Sequence, residues 1–332
     1  MVDQSLESSR PRIVVLGTGG TIAGRAAAQE DNIGYAAGEV DVGQLLAGIA
    51  APEGCVLAHE QVAQVDSKDM AFAIWRQLAL RCTHWLADPA VRAVVITHGT
   101  DTLEETAWFL HQVVPAQTKP VVLTCAMRPS TALSPDGPQN LRDALAVAAV
   151  PGAHGVSMVC AGVVHAALDV RKVHTYRLDA FSSGDAGPLA YVEEGGLRQL
   201  RAWPEGSDGA LLPLVAASPA APRVEILASH AGASGALVDL LLRERAAPGT
   251  AEPVRGLVLA ATGNGTLHRD LEAAALRAQA AGVAVLRSTR CAQGRILVRP
   301  DDALPAAGAL GPAKARVTLQ LALLAGTAAA AR

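Results

Sequence analysis

Apolar and polar positions follow one another along this chain in blocks that predict strands and helices in turn. Short apolar runs rich in β-branched residues are typical of buried strands, and longer stretches with apolar positions three and four apart are typical of amphipathic helices. Their alternation favours an α/β fold with a mainly parallel sheet covered by helices. The first predicted strand begins at Arg12, and the later ones cover 56–65, 93–97, 120–124, 155–164, 224–228, 256–261 and 283–287. The predicted helices cover 42–50, 70–87, a stretch ending at 110, 137–150, 235–245, 267–281 and 313–324.

The length of the chain and one change in composition predict two domains. At 332 residues the chain exceeds the size at which one hydrophobic core remains efficient. From 202 to 222 the sequence becomes rich in Gly, Ser, Pro and Ala, which is typical of a linker. We therefore expect a larger N-terminal α/β domain over 1–201, a linker over 202–222, and a smaller C-terminal α/β domain over 223–332.

Composition excludes several classes of partner. No apolar run reaches the 18 residues of a membrane span, and the first ten residues are polar, so we expect no membrane partner and a cytoplasmic location. A net charge of -3 and only 3% aromatic residues leave no basic surface or stacking platform, so we expect no nucleic acid. Five cysteines without a C-x-x-C pair are typical of reduced thiols.

The first predicted strand ends in a glycine-rich turn that carries two hydroxyls, Thr18 and Thr21. The turn fails the dinucleotide-binding pattern G-x-G-x-x-G, because Ile22 occupies the third glycine position. It also fails the phosphate-loop pattern, because Arg25 and Ala26 follow the last glycine. From the turn alone, a ligand loop and a plain tight turn both remain open.

Further reactive side chains follow the next predicted strands. Ser67 comes after the second strand, and Thr100 and Asp101 come after the third; Lys172 lies in a later irregular stretch. In open α/β sheets, ligands bind outside the carboxyl ends of the strands. Hydroxyl, carboxylate and amine are the parts of an activated nucleophile. Helix capping by Asp66 and Ser67 is the alternative interpretation of their segment.

Several short segments give the sequence a strong resemblance to the bacterial L-asparaginase and glutaminase-asparaginase family. They occur in the order typical of that family and cover nearly the whole chain. The resemblance implies hydrolysis of a side-chain amide to a carboxylate and ammonia through a covalent acyl-threonine, with no metal or organic cofactor. The matching segments are 18–24, 97–106, 126–130, 136–138, 187–189, 263–265 and 314–316.

The resemblance also implies roles for individual residues. Thr21 matches the nucleophile, and Tyr35, in a polar stretch interpreted as a flap, matches its activator. Thr100, Asp101 and Lys172 match the family's proton-relay group, which also positions the substrate and furnishes part of the oxyanion hole. Ser67 and Asp101 match the residues that hold the α-carboxylate and the α-ammonium of the substrate. The full set of implied substrate contacts is Gly20, Ser67, Lys68, Thr100, Asp101 and Asn264.

In the family, two intimate dimers form a homotetramer, and the smaller domain of a partner chain completes each active site. Asn264 matches a position used in that way, although Asn-Gly also suits a plain turn residue with positive φ. We expect His98 to orient its loop rather than act as a base. We expect Glu104 and Glu105 to complement the N-terminus of the following helix.

Three features depart from the family pattern. Lys68 stands where many relatives carry glutamine, so it either pairs with Asp66 or Asp69 or reaches the substrate carboxylate. The segment 291–302 is short where the family often provides a glutamate to the neighbouring subunit, and Asp301 or Asp302 is its candidate replacement. The segment 168–172, which contains Asp169 and Lys172, lacks the arginine that commonly precedes the aspartate.

The function expected from these residues is that of an L-asparaginase with minor L-glutaminase activity. One methylene separates the two substrates, and a pocket discriminates a methylene by about 1–3 kcal/mol. The alternatives are a glutaminase-dominant relative, the amidase subunit of a transfer-RNA-linked amidotransferase, and a catalytically silent amino-acid sensor on the same scaffold.

Overall fold

A computed structural model describes residues 10–327 of the chain. In its N-terminal part, eight strands form one sheet in the order β10-β9-β6-β5-β4-β3-β1-β2, and β7 pairs with β8 in a separate two-stranded sheet. The strands are β1 (Arg12–Gly19), β2 (Val56–Val65), β3 (Val91–Thr97), β4 (Pro120–Thr124), β5 (Gly155–Cys160), β6 (Val163–Ala166), β7 (Arg171–Lys172), β8 (Phe181–Ser182), β9 (Ala190–Glu193) and β10 (Gly196–Gln199); the helices are α1 (Val42–Leu45), α2 (Phe72–Ala87), α3 (Leu103–Val113) and α4 (Gly137–Ala149).

Strands β1 to β5 run parallel, and β6, β9 and β10 extend the sheet in antiparallel fashion. The predicted mainly parallel α/β sheet is therefore confirmed. The chain leaves β1 for β2 on one side and returns to β3 on the other, so the strand order reverses between β1 and β3. Gly17 of β1 is in register with Thr97 of β3, which brings the two following loops together at the carboxyl ends of the strands. This is the place where open α/β sheets bind ligands.

Helices cover the sheet because its central strands are apolar on both faces. Ile13 and Val15 of β1 lie in one buried cluster with Leu141 and Leu145 of α4. Successive residues of a strand point to opposite faces, and the intervening Val14 is also fully buried. A rigid, dry centre of this kind holds the loops at its carboxyl edge in place.

The single strand predicted over 155–164 is wrong, because the chain reverses within it. Ala161 (φ 50°) and Gly162 (φ 74°) form a two-residue turn between β5 and β6. Glu194 (φ 50°) and Gly195 (φ 78°) make the same kind of turn between β9 and β10, two strands that the sequence does not predict. Such turns favour Asn-Gly or Asp-Gly, so Ala-Gly and Glu-Gly give no recognisable hairpin signal.

The chain divides into two compact units between Leu212 and Pro213, inside the stretch 202–222 that the sequence predicts as a linker. A short unpredicted helix, α5 (Leu212–Ala217), occupies part of that stretch. The second unit contains a three-stranded parallel sheet with helices, in agreement with the predicted smaller α/β domain. Its elements are β11 (Val224–Ala228), α6 (Ala236–Ala246), β12 (Gly256–Ala261), α7 (Arg269–Ala280), β13 (Ala284–Thr289) and α8 (Pro312–Leu324). Within residues 10–327, no helix is long and apolar enough to cross a membrane.

Candidate active site

The loop after β1 reaches its position through two glycines with positive φ, Gly19 (99°) and Gly20 (81°). A Cβ atom on Gly20 would overlap the backbone of Gly99 in the loop after β3. The Gly20 N–H donates to the Val65 carbonyl at the end of β2, at 2.9 Å. Only glycine fits here, and the contact brings the loops that carry Thr21 and Thr100 against each other.

Thr21 is the first residue of a single 3-10 turn (Thr21–Ala23), and 6% of its surface is exposed. Its Oγ1 lies 2.6 Å from the hydroxyl oxygen of Tyr35, within hydrogen-bond distance. Thr18, the other hydroxyl of this loop, is buried and donates to the Thr97 carbonyl at 2.9 Å. Thr18 therefore ties β1 to β3, and Thr21 is the hydroxyl with a phenol partner.

Tyr35 belongs to residues 25–36, which we call the flap. One antiparallel bridge, between Arg25 and Ala36, closes its base. At its tip, Asp31 accepts hydrogen bonds from the backbone N–H groups of Ile33 and Gly34, and these bonds hold the pKa of Asp31 below its ordinary value. Ile33 is 80% exposed, so the outer part of the flap buries little apolar surface.

Thr100, Asp101 and Lys172 form one hydrogen-bonded group, as the resemblance implies. The Lys172 Nζ donates to Thr100 Oγ1 at 2.7 Å and to Asp101 Oδ1 at 2.6 Å. Lys172 pairs with Phe181 across β7 and β8, and its side chain is mostly buried, whereas the Asp101 side chain is 55% exposed. A single ammonium thus orients one hydroxyl and one carboxylate that faces solvent.

Ser67 is buried against the loop after β3. Its Oγ accepts the Asp101 N–H at 3.2 Å, and its carbonyl accepts the Thr102 hydroxyl at 2.8 Å. A Cβ atom on Gly99 would lie 2.5 Å from the Ser67 Oγ, so glycine is required there too. Because the Ser67 Oγ accepts a hydrogen bond from the Asp101 N–H, its own O–H can donate a hydrogen bond to another group.

The alternative interpretation of this segment as a helix cap is correct for Asp66. The Asp66 side chain caps the 3-10 turn Ser67–Asp69 by accepting the Lys68 N–H. The Lys68 ammonium lies 2.6 Å from the Asp66 carboxylate and 3.4 Å from that of Asp69, and the hydrogen bond to Asp66 is the main cause that raises the pKa of Lys68. Lys68 therefore pairs within its own segment.

His98 is fully buried at the centre of a hydrogen-bond chain. Its Nδ1 lies 2.7 Å from the Gly99 carbonyl, which can only accept, so we assign the ring proton to Nδ1. Its Nε2 then accepts from the Thr106 hydroxyl at 2.9 Å, which in turn accepts the Trp75 indole N–H at 2.8 Å. Burial lowers the pKa of His98 to about 4. A neutral imidazole therefore holds Gly99, in agreement with the expected orienting role.

The sequence gives no indication of one further contact at this site. Glu104, expected only to complement the N-terminus of α3, also accepts the backbone N–H of Lys172 through Oε2 at 2.6 Å. The two residues are 68 positions apart, and no local pattern relates them. The roles of Thr106 and Trp75 beneath His98 were likewise not predicted.

Asn264 lies in the C-terminal unit, and both ends of its amide contact one residue. Its Nδ2 donates to the Leu297 carbonyl at 3.0 Å, and its Oδ1 accepts the Leu297 N–H at 2.8 Å. Positive φ occurs at Gly263 and Gly265 but not at Asn264, so the interpretation of Asn264 as a positive-φ turn residue is wrong.

In the shortened segment 291–302, the Asp302 carboxylate is already engaged. It lies 2.7 Å from the Arg287 guanidinium and accepts the Arg299 N–H at 3.0 Å, and these contacts lower the pKa of Asp302. Asp301 is exposed.

Comparison with known proteins identifies the family. Residues 12–204 match the family description "Asparaginase, N-terminal", and residues 223–331 match "Glutaminase/Asparaginase C-terminal domain". The chain is 38% identical over 325 residues to L-asparaginase 2 of Escherichia coli (strain K12), covering 94% of this chain and 89% of that protein. It is 34% identical over 322 residues to the glutaminase-asparaginase of Pseudomonas fluorescens biotype A, with 94% and 86% covered.

The fold comparison agrees. The crystal structure of a probable cytoplasmic L-asparaginase from Campylobacter jejuni superimposes with a TM-score of 0.86 at 36% identity, covering 95% of each chain. Fold and matched domains together define an asparaginase-type amidohydrolase. The chain belongs to the asparaginase family, and the resemblance seen in its motifs is confirmed.

Proposed function

We propose that the protein hydrolyses the side-chain amide of L-asparagine to L-aspartate and ammonia, with Thr21 as the nucleophile. The observation that carries this proposal is the 2.6 Å contact between Thr21 Oγ1 and the Tyr35 hydroxyl, in a loop that packs on the one carrying Thr100 and Asp101. A threonine hydroxyl is a weak nucleophile at its ordinary pKa and needs an adjacent group to accept its proton.

In the first step, Thr21 Oγ1 attacks the amide carbon and gives up its proton through Tyr35. The amide nitrogen takes a proton and leaves as ammonia, so that an ester joins the aspartyl group to Thr21. In the second step, water attacks that ester, its proton returns to the threonine oxygen, and aspartate is released. Because Lys172 donates to Thr100 Oγ1, the Thr100 hydroxyl keeps its own proton for donation toward the reacting atoms.

The same geometry supports recognition of a zwitterion. The Asp101 carboxylate is half-exposed and suits an α-ammonium, and the Ser67 hydroxyl proton suits an α-carboxylate. Gly20 and Thr100 line the same strand ends and complete the proposed contacts from this unit. We leave Lys68 out of these contacts, because its ammonium is paired with Asp66 and Asp69.

We further propose a cytoplasmic homotetramer built as a dimer of intimate dimers, in which Asn264 of a neighbouring chain contributes to the site. The similarity to the Campylobacter jejuni protein, a probable cytoplasmic L-asparaginase, supports the location. The motif resemblance is the support for the assembly. Light scattering of the purified protein tests it, and a monomer at micromolar concentration contradicts it.

The decisive experiment is ammonia release from L-asparagine, L-glutamine and D-asparagine, with Thr21→Ala as the test variant and Thr18→Val as the control. We expect L-asparagine to be turned over faster than L-glutamine, Thr21→Ala to be inactive while still binding asparagine, and Thr18→Val to retain turnover. Rapid quenching followed by mass spectrometry should find an aspartyl group on Thr21. Ordinary turnover by Thr21→Ala contradicts the assignment, and asparagine binding without ammonia release by the wild type favours the sensor.

A further inference from the structure

Lys172 is held at its backbone N–H and at its side-chain ammonium, and the partners of both groups lie in the short segment 100–104. Its Nζ contacts Thr100 and Asp101, while its backbone N–H donates to Glu104 Oε2 at 2.6 Å. Glu104 follows Asp101 by three positions and lies in the first turn of α3. The start of α3 and the loop before it therefore bind Lys172 at its base and at its tip.

The Glu104 carboxylate supplies a hydrogen-bond acceptor for the backbone N–H of Lys172. Lys172 lies in a strand of two residues whose sheet contains only β7 and β8 in the described chain. On the side of β8 it pairs with Phe181, and the neighbouring Val173 N–H donates to the Ala180 carbonyl. The Lys172 N–H points to the other side, where the Glu104 carboxylate accepts it in place of a third strand. An acceptor with a full negative charge makes this bond stronger than one between neutral groups.

The tip contact depends on the base. A lysine side chain has four rotatable bonds and loses rotamer entropy when it is fixed. A Lys172 backbone held against α3 limits the positions that Nζ can reach, so fewer side-chain conformations compete with the one that contacts Thr100 and Asp101. Displacement of catalytic geometry by about 1 Å can cost about 10²-fold in rate.

We propose that Glu104 is a positioning residue for the reaction: it fixes the backbone of Lys172 so that the ammonium reaches Thr100 and Asp101. The proposal rests on the proposed function of the Lys172 group. It assigns Glu104 a role beyond its favourable position at the N-terminus of α3, and it does not place Glu104 in contact with the substrate.

The test compares variants that keep or remove the acceptor. Glu104→Gln keeps a carbonyl oxygen near the same place and loses the charge, whereas Glu104→Ala removes the acceptor. Glu104→Met, which has similar length and good helix propensity, is a second deletion in case the alanine variant does not fold. Glu105→Gln and Glu105→Ala in the same turn are the matched controls for lost charge and lost side chain.

We expect Glu104→Ala and Glu104→Met to lower kcat for L-asparagine by about 10- to 100-fold, with KM within about threefold. Glu104→Gln should restore kcat to within about threefold of the wild type, and both Glu105 variants should stay in that range. Amide hydrogen exchange at Lys172 should become faster in the two deletion variants and remain slow in Glu104→Gln.

Three results overturn the proposal, and the first two concern the deletion variants. One is wild-type kcat in both deletion variants, and the other is unchanged exchange at Lys172 in those variants. A loss in Glu104→Gln equal to that in Glu104→Ala also contradicts it, because charge rather than the accepted hydrogen bond would then matter. Lys172→Met separates this inference from the function: if Lys172→Met turns over normally, the proposed relay fails, and the exchange measurement still decides whether Glu104 fixes Lys172.

Discussion

The two loops that carry the reactive threonines are built differently. Thr21 meets Tyr35 on the flap, which one bridge closes at its base and whose tip exposes Ile33. Thr100 meets Lys172, whose backbone and ammonium are both held by the start of α3 and the loop before it. The hydrogen bonds that tie the flap to Thr131 and Leu133 involve Ala26 and Gln29, in its first half, and Tyr35 lies in its second half. Lys172 is held directly, at its backbone and at its ammonium.

The difference extends below the loops. The loop after β3 rests on His98, whose ring has a hydrogen-bond partner at each nitrogen and no exposed surface. The loop after β1 relies on glycine backbone geometry at Gly19 and Gly20. The partner of Thr100 is therefore held by buried and charged contacts at the start of α3, whereas the partner of Thr21 lies near the exposed part of the flap.

The largest expected effects come from removing the partner of each threonine in turn, Lys172 for Thr100 and Tyr35 for Thr21. Lys172→Met removes the group that orients both Thr100 and Asp101, so we expect kcat to fall by about 10²–10⁴-fold and KM to rise. Tyr35→Phe removes only the hydroxyl that we propose accepts the Thr21 proton, so we expect a fall of similar order in kcat with KM within about threefold. Steady-state kinetics with L-asparagine measures both. A raised KM in Tyr35→Phe with unchanged kcat would show that the flap binds substrate and does not activate Thr21.

An effect of intermediate size concerns the acid stability of the anchored loop. The pKa of His98 falls from its ordinary 6.5 to about 4 on folding, so between these values the unfolded chain binds a proton that the native protein does not. Stability therefore falls as the pH drops from about 6.5 to about 4, and this residue alone should lower the free energy of unfolding by about 2 kcal/mol between pH 7 and pH 5.

Urea unfolding of the wild type and of His98→Gln at pH 7 and pH 5 measures this effect. The variant should be less stable at pH 7 and should lose less stability on acidification. His84→Gln serves as a control for the removal of a histidine near the surface of α2. An equal pH dependence in wild type and His98→Gln would show that His98 is not held neutral by burial.

The smallest expected effect lies outside both loops. Lys68 is 61% exposed and pairs with Asp66 and Asp69, so Lys68→Ala should leave kcat/KM for L-asparagine within about threefold of the wild type. The same kinetic assay measures it, with Asp69→Ala as a variant that leaves the closer pair intact. A rise of KM by tenfold or more would indicate that the ammonium reaches the substrate carboxylate instead.

The sequence predicts the parts of the fold that local pattern controls. The predicted bounds of β2 and of the buried strand β4 agree with the structure, and the residues that follow the parallel strands converge because those strands share one carboxyl edge. The hairpin turns at Ala161 and Glu194 escaped prediction, because both residues adopt positive φ although neither is a residue type that signals such a turn. The contact of Glu104 with Lys172 escaped it because it joins distant segments through a backbone N–H, which leaves no mark on residue type.

The packing of Gly20 on Gly99 also determines where this site can change. A side chain at position 20 would overlap the facing backbone at a positive φ, so that position accepts only glycine; one at position 99 would force the Ser67 side chain to move. We therefore expect substitutions to be tolerated beside this contact rather than in it, at exposed positions such as Lys68 and, on the flap, Ile33. A mutational library built on this chain would find its active members there.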